Sequence, residues 1–460
     1  MMVHSDRIKL VFHEDVMSGL PQVFQIPELK KRLLFTISML AVYRFGVFVS
    51  TPGVDVEAIR RMFEENANTL FGLINLFSGG ALEQFSIFTL GISPYITVSI
   101  IIQLLSPSIP YLENLKKEGE AGRRVITRYT RQFTILLALF QSFMIARALE
   151  SRGLATPSLQ FELITMITLT AGTAFVMWLG EQITERGLGN GTSIIIFAGI
   201  AARMPSVFGS TIELARTGEV SPFAVLFLLA FSLFTIYAII YVERSHRKIP
   251  IQYPRRMVGK RMTQAQTQYM PLKVNMTGVI PPIFASAIMM LPATIMTVIP
   301  AANLPMLSKF LTPGEWGYES VYVGLIVLFS FFYTAVVFNP VEVAENLKKN
   351  GGFIPLVRPG QETADYLYGV LNRLTLWGAV YISLVCVLPQ IVYIGMGASQ
   401  FAYVFGGTAV LIVVGVTLDT SAQIESMLVA RNYEAFMSRS SKDQGSIGAM
   451  SYNRSRLVRR

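Results

Sequence analysis

Ten stretches of this chain are apolar for about the twenty residues that a helix needs to cross roughly 30 Å of hydrocarbon. They lie near 33–51, 86–106, 132–150, 161–181, 191–211, 222–242, 274–299, 318–339, 370–389 and 402–419. In lipid such a run satisfies its backbone N–H and C=O groups internally, so each predicts a helix. Composition agrees: 52% of the 460 residues are hydrophobic and 15% charged, against about 25% charged in soluble domains. The expected fold class is an all-α membrane protein with ten transmembrane helices.

The basic residues orient these helices, because Lys and Arg accumulate on the cytoplasmic side. Of 39 Lys and Arg, 31 fall in or at the edges of the two termini and the loops after the even-numbered stretches. Six lie in the opposite segments (Arg60, Arg61, Arg152, Arg203, Arg216 and Lys309), and Arg44 and Arg147 lie within stretches. Both termini are therefore expected in the cytoplasm of a bacterial plasma membrane or its equivalent. The first 30 residues are mixed and amphipathic and do not read as a cleavable signal peptide.

Two segments recur within the chain. Gly91-x-x-Pro94-x-Ile96-x-x-Ser99-x-Ile101-x-x-Leu104 returns as Gly278-x-x-Pro281-x-Ile283-x-x-Ser286-x-Ile288-x-x-Leu291. Gly191-Thr192-Ser193-Ile194-Ile195-Ile196-x-x-Gly199 returns as Gly407-Thr408-Ala409-Val410-Leu411-Ile412-x-x-Gly415. Helix 2 would run inward and helix 7 outward, and helices 5 and 10 are likewise opposed. The halves 1–5 and 6–10 are thus expected to be inverted and pseudo-symmetric, an arrangement that commonly places a substrate path at the interface. The expected divisions are an N-terminus at 1–32, halves at 33–212 and 213–420, and a tail at 421–460.

No nucleophile–base pairing, phosphate-binding loop or metal-spaced cluster is visible, so the sequence predicts neither an enzyme nor a cofactor. His4, His13 and His246 lie outside the apolar stretches, and the single Cys386 excludes a disulfide framework. Ionisable groups within the stretches are few, chiefly Arg44 and Glu162, and each reads most simply as snorkelling or paired with a neighbour. The repeats present isoleucines instead. Ile92 and Ile96 are four apart, as are Thr192 and Ile196, so each pair shares a helix face. Such residues are ordinarily core or lipid contacts. At repeated positions near a symmetry axis they would form a dewetted constriction that seals without binding anything. A short apolar segment between the first two stretches, Leu70-Phe71-Gly72-Leu73-Ile74-Asn75-Leu76-Phe77-Ser78-Gly79-Gly80, reads as a packed turn or as a movable stopper between glycine hinges.

Two inner loops are strongly basic. Residues 243–273 carry Arg244, Arg247, Lys248, Arg255, Arg256, Lys260, Arg261 and Lys273, and residues 340–369 carry Lys348, Lys349 and Arg358. Contact with anionic lipid explains charge alone. The second loop adds Gly351-Gly352 and a Pro-framed Arg358, a shaped turn suited to an acidic partner or RNA phosphate.

At these loops the chain resembles the SecY family, channel subunits of the bacterial and plastid protein-conducting translocon. The resemblance runs from about Pro27 to Glu434. It is carried by Pro271-Leu272-Lys273-Val274-Asn275 through Pro292, by Asn346-Leu347-Lys348-Lys349 through Arg358-Pro359-Gly360, and by Phe405-Gly406-Gly407-Thr408. It implies an hourglass pore sealed by Ile92, Ile96, Thr192, Ile196, Ile283 and Ile412, and a plug helix at Leu70–Gly80. Thr192 departs from the usual aliphatic ring, and its hydroxyl would either bond its own helix backbone or wet the constriction slightly and loosen the seal. The resemblance also implies a lateral gate between helices 2 and 7, with Gly91, Pro94, Pro281 and Pro282 weakening their backbone ladders. Docking of the motor ATPase SecA and of the ribosome is implied at Lys260, Arg261, Lys348, Lys349 and Arg358, with SecE and SecG as small partners. The function expected is a gated conduit for unfolded preproteins and signal sequences. The alternative is an inverted-repeat transporter for a small solute.

Overall fold

The computed structural model describes residues 26–65, 79–151, 153–155, 157–218, 221–253, 257–258, 261–262, 266–298, 315–396 and 405–429. Leu70 to Ser78 and Lys260 lie outside these residues. Each of the ten apolar stretches overlaps a helix: α1 (Pro27–Val47), α3 (Ser93–Leu105), α5 (Glu120–Ser151), α6 (Leu159–Arg186), α7 (Gly191–Thr217), α8 (Pro222–Glu243), α9 (Ile280–Val298), α10 (Trp316–Val337), α12 (Gln361–Gly395) and α13 (Gly407–Val429). Three shorter amphipathic helices join them, α2 (Val56–Glu65), α4 (Pro110–Lys117) and α11 (Pro340–Lys349).

Seven of these helices, α5, α6, α7, α8, α10, α12 and α13, are long and apolar enough to cross a membrane, among the described residues. Two of the other three stretches differ for local reasons. α1 carries Lys30, Lys31, Arg32 and Arg44. α3 has 13 residues, about 20 Å at 1.5 Å per residue, and meets α4 at a 96° bend.

The second stretch is not helical from residue 86, as the apolar run suggested. Residues 79–92 form successive turns packed inside the protein, with Ala81, Phe85, Ser86 and Thr89 all buried. Their backbone is satisfied across the fold: Thr51 N–H donates to Phe85 O at 2.9 Å, and Ile87 N–H to Val49 O at 2.9 Å. Irregular backbone is tolerated at membrane depth where protein encloses it.

The repeated prolines start their helices rather than interrupt them. Pro94 stands in the first turn of α3, and Pro281 and Pro282 are the second and third residues of α9. First-turn N–H groups have no helical acceptor, so a proline there removes nothing. The break lies just upstream, where Gly91 (φ +54°) and Gly278 (φ +60°) adopt the left-handed conformation that glycine takes at no steric cost.

The loop after α8 is not irregular, and the fold is not purely helical. Strands β1 (His246–Tyr253) and β4 (Gln266–Lys273) pair antiparallel from His246↔Lys273 to Tyr253↔Gln266. A short pair, β2 (Met257–Val258) and β3 (Arg261–Met262), lies within the hairpin. Ile249 and Ile251 alternate with exposed neighbours and turn inward, as a period of two requires.

Element boundaries move outward from the expected divisions. α1 begins at Pro27, α7 runs to Thr217, and α13 continues to Val429, where a tail was expected from 421. Arg203, grouped above with the outer-loop charges, lies inside α7. A main apolar core joins residues of α1, α3, α6, α7, α8, α9, α10, α12 and α13. A smaller core links β1 and β4 to Ile354 and α12. Another seats Leu29 of α1 and Leu188 against Ile424, Met427 and Leu428 of α13.

Candidate functional site

The repeated glycines set how closely the helices approach. A Cβ on Gly191 would overlap the carbonyl of Gly180 on α6, and one on Gly407 would overlap the carbonyl of Val385 on α12. Each glycine is the first residue of its helix. The start of α7 thus lies on the backbone of α6, and the start of α13 on that of α12, in the same manner. Asn190 caps α7 by accepting from the N–H groups of Thr192 at 3.1 Å and Ser193 at 3.5 Å.

Five of the six ring candidates belong to the main core. Ile92, Ile196 and Ile412 are buried, and Ile96 and Ile283 pack against that cluster half-buried. Ile96 N–H donates to Ile92 O at 3.1 Å, so the two share a face although Ile92 only flanks the helix. The Cδ1 atoms of Ile92 and Ile195 lie 3.7 and 3.5 Å from where a Cβ on Gly180 would stand, which brings α3, α6 and α7 together. Thr192 is half-buried, and its hydroxyl has no hydrogen-bond partner among the described residues. The bond to its own helix does not form, because the second residue of a helix has no helical carbonyl four residues behind it. α3 packs against α9, so the two helices of the expected lateral gate touch, and α9 also packs on α5. A cavity of about 630 Å³ opens between Ser106 and Lys116 on the α3–α4 elbow and Phe332, Ala335, Asn372 and Thr375 of α10 and α12.

Of the plug segment only Gly79 and Gly80 are described, at φ +67° and +90°. Gly79 lies against the backbone of Gly199, the last residue of the α7 repeat: a Cβ on Gly79 would stand 2.8 Å from Gly199 Cα. Arg44 is received by its neighbours within the protein. Its Nη1 donates to Gly79 O at 2.8 Å, and its guanidinium lies 5.1 Å from the Phe48 ring centroid. Glu162 is paired with Arg147 at 2.8 Å, the plain reading of that residue. Sequence reasoning missed the ion pair of Arg203 with Glu83 at 2.9 Å, which ties the turns after Gly80 to α7. It also passed over Glu319, buried on α10. No local signal marks Glu83 and Arg203, which lie 120 residues apart.

The two basic loops become one platform. Gln252 N–H donates to Phe353 O at 2.8 Å and Phe353 N–H to Gln252 O at 3.0 Å. The missing side chain of Gly352 leaves room for Tyr253 and Ile251, whose nearest atoms would lie 3.0 and 3.1 Å from a Cβ. Beyond it Leu356 (φ +69°) is fully exposed. Lys348 is exposed, Lys349 lies 3.8 Å from Glu345, and Arg358, 88% exposed, lies 3.9 Å from Glu362. Pairs this exposed hold their side chains weakly and leave the charges accessible. Arg261 falls on β3.

Comparison with known proteins agrees with this arrangement. The family model for SecY matches residues 86–421. A protein of Escherichia coli (strain K12) described as protein translocase subunit SecY is 47% identical over 422 residues, covering 90% of this chain and 94% of that protein. One of the same description from Thermus thermophilus is 46% identical over 425 residues, covering 90% and 96%. Among solved structures, a protein-conducting channel superposes with a TM-score of 0.64 at 17% identity, over 89% of this chain and 97% of the other. Sec61 in a canine ribosome–channel complex superposes with a TM-score of 0.60 at 16% identity over the same shares. Those two likenesses are of fold. The family match and the relatives near half identity extend over the paired glycines, the isoleucines of the core and the basic platform, and the chain belongs to the SecY family.

Proposed function

We infer that this chain is the channel subunit of a protein translocase, which conducts unfolded polypeptide across a membrane and releases apolar segments sideways into lipid. The observation that carries the reading is the convergence of Ile92, Ile96, Ile196, Ile283 and Ile412, from four helices of both halves, on one apolar core. With Thr192 they form the proposed ring. An apolar constriction suits a substrate of arbitrary sequence because it offers no specific hydrogen bond to retain any residue. It closes around the chain and excludes ions by dewetting.

The finer reading has ten spans in two inverted halves, with both termini in the cytoplasm of a bacterial plasma membrane. The like conformations of Gly91 and Gly278, and the like packing of Gly191 and Gly407, support the inverted halves. The gate lies between α3 and α9, whose contact supports it. The segment Leu70–Gly80 is the plug, and the bond from Arg44 to Gly79 supports a seated resting position. SecA and the ribosome dock on Lys260, Arg261, Lys348, Lys349 and Arg358, supported by the exposure of Lys348 and Arg358. SecE and SecG complete the channel, and anionic lipid contacts the basic loops. The energy for movement comes from such partners, since the chain carries no phosphate-binding loop. The solute-transporter alternative finds no support among the relatives.

The test is site-specific cross-linking in the assembled complex, with Cys386 replaced and one cysteine at Ile196. Presented with a stalled secretory chain carrying one cysteine, the complex is expected to cross-link only when the signal sequence is functional. Absence of a cross-link from Ile196, Ile283 and Ile412, in a complex that still takes up a small solute, overturns the reading.

A further inference from the structure

We propose that Glu243 and Asn275 pin the loop-side end of α9, and that Tyr381 on α12 receives Glu243 when α9 swings away from α3. They are positioning residues for the gate, and the inference rests on the channel reading above.

Asn275 is buried, and its carboxamide is fully used. Nδ2 donates to Gly278 O at 3.2 Å, and Oδ1 accepts from Thr277 Oγ1 at 2.9 Å and Gly278 N–H at 3.1 Å. These three bonds lie within the turn that launches α9, and they shape it around the left-handed Gly278. The fourth leaves the turn: Nδ2 donates to Glu243 Oε1 at 2.6 Å. Glu243 is the last residue of α8, and this short bond fixes where the turn sits rather than what form it takes. Without it the turn keeps its internal bonds while α9 loses a tether.

The surroundings supply a second position for the carboxylate. A Cβ on Gly378 of α12 would lie 3.4 Å from Val274 O and 3.8 Å from Asn275 Cα, so α12 backs directly onto the turn. Three residues further along α12, the Tyr381 hydroxyl is buried, has no hydrogen-bond partner among the described residues, and lies within the field of Glu243. A buried hydroxyl left unpaired is costly, so a carboxylate freed by movement of Asn275 gains a ready donor. Lys273 and Asp419, 3.9 Å apart and largely exposed, are charges within reach of Glu243. The element is bistable: Glu243 holds Asn275 when α9 rests on α3, and Tyr381 when it does not.

The test uses the assembled complex in lipid vesicles, Cys386 replaced, with one cysteine on α3 and one on α9 across their contact. Glu243→Ala is expected to lower the α3–α9 cross-link yield severalfold. It should also raise translocation of a client with a weakened signal sequence by up to about tenfold, the scale of one lost buried hydrogen bond. Glu243→Gln keeps an acceptor for Asn275 and is expected to restore both readouts. Tyr381→Phe leaves the resting cross-link intact and slows opening with an intact signal. Should Glu243→Ala fail to assemble, the Gln and Phe variants carry the test. A wild-type cross-link yield in Glu243→Ala, or a Glu243→Gln as permissive as Ala, or a Tyr381→Phe that opens at the wild-type rate, overturns the proposal. The cross-link reports the pin even if the wild-type complex translocates no polypeptide, an outcome that would overturn the channel reading alone.

Discussion

Gly407 and Gly209 are both helical glycines, yet they answer to different physics. A Cβ at Gly407 collides with the backbone of Val385 and Cys386, which cannot rotate away, whereas a Cβ at Gly209 meets nothing within 4 Å. Gly407→Ala should force α12 and α13 apart and cost about 1–3 kcal/mol, the usual range for overpacking. Gly209→Ala should be neutral or stabilise by up to about 1 kcal/mol through helix propensity. Thermal unfolding of the two variants in the same detergent checks the contrast, and equal midpoints would sink it. Arg44 teaches the same lesson for charge. A cation within an apolar stretch looks costly in sequence, but here a backbone carbonyl and an aromatic face receive it.

At the scale of elements, the β1–β4 hairpin has consequences that its charge alone conceals. Its inward face, Ile249 and Leu272, shares a small core with Ile354, Leu367, Leu371 and Leu374. That core holds the second basic loop through the bridge between Gln252 and Phe353. Ile249→Ala should cost roughly 2–5 kcal/mol locally, as removal of a buried aliphatic group does. Because this core is separate from the main one, the loss should show as faster amide exchange in β1, β4, 350–357 and the start of α12, with the other apolar helices unchanged. Uniform loosening of the whole protein would refute the separation. The alternation Ile249-x-Ile251 in a basic loop is the available signal for a strand. Against it stand the surrounding charge and Pro250, which a strand accepts best near an edge.

At the scale of the whole molecule, one apolar core joins Ile92, Ile196 and Ile412 with the half-buried Ile96 and Ile283, the seam proposed above as the ring. Such a seam conducts only when it parts, and it holds back ions only while it stays dry. Ile283→Asp places a charge on the half-buried face of α9 and should wet the seam, raising resting ion conductance in planar bilayers. Ile283→Leu should not. A resting conductance equal to wild type in Ile283→Asp would remove that residue from the proposed ring.

Sequence alone determined the properties that depend on composition along the chain: membrane class, the positions of ten apolar stretches, the glycine and isoleucine repeats, and the family. Hydropathy and turn chemistry are local, so they are written in consecutive residues. The start of α3 at Ser93, the role of the prolines as helix starters, the union of two basic loops and the pairing of Arg203 with Glu83 belong to the tertiary structure. Each depends on groups far apart in the chain meeting at atomic distances. A buried turn becomes tolerable, or a charge satisfied, only once the distant partner is in place.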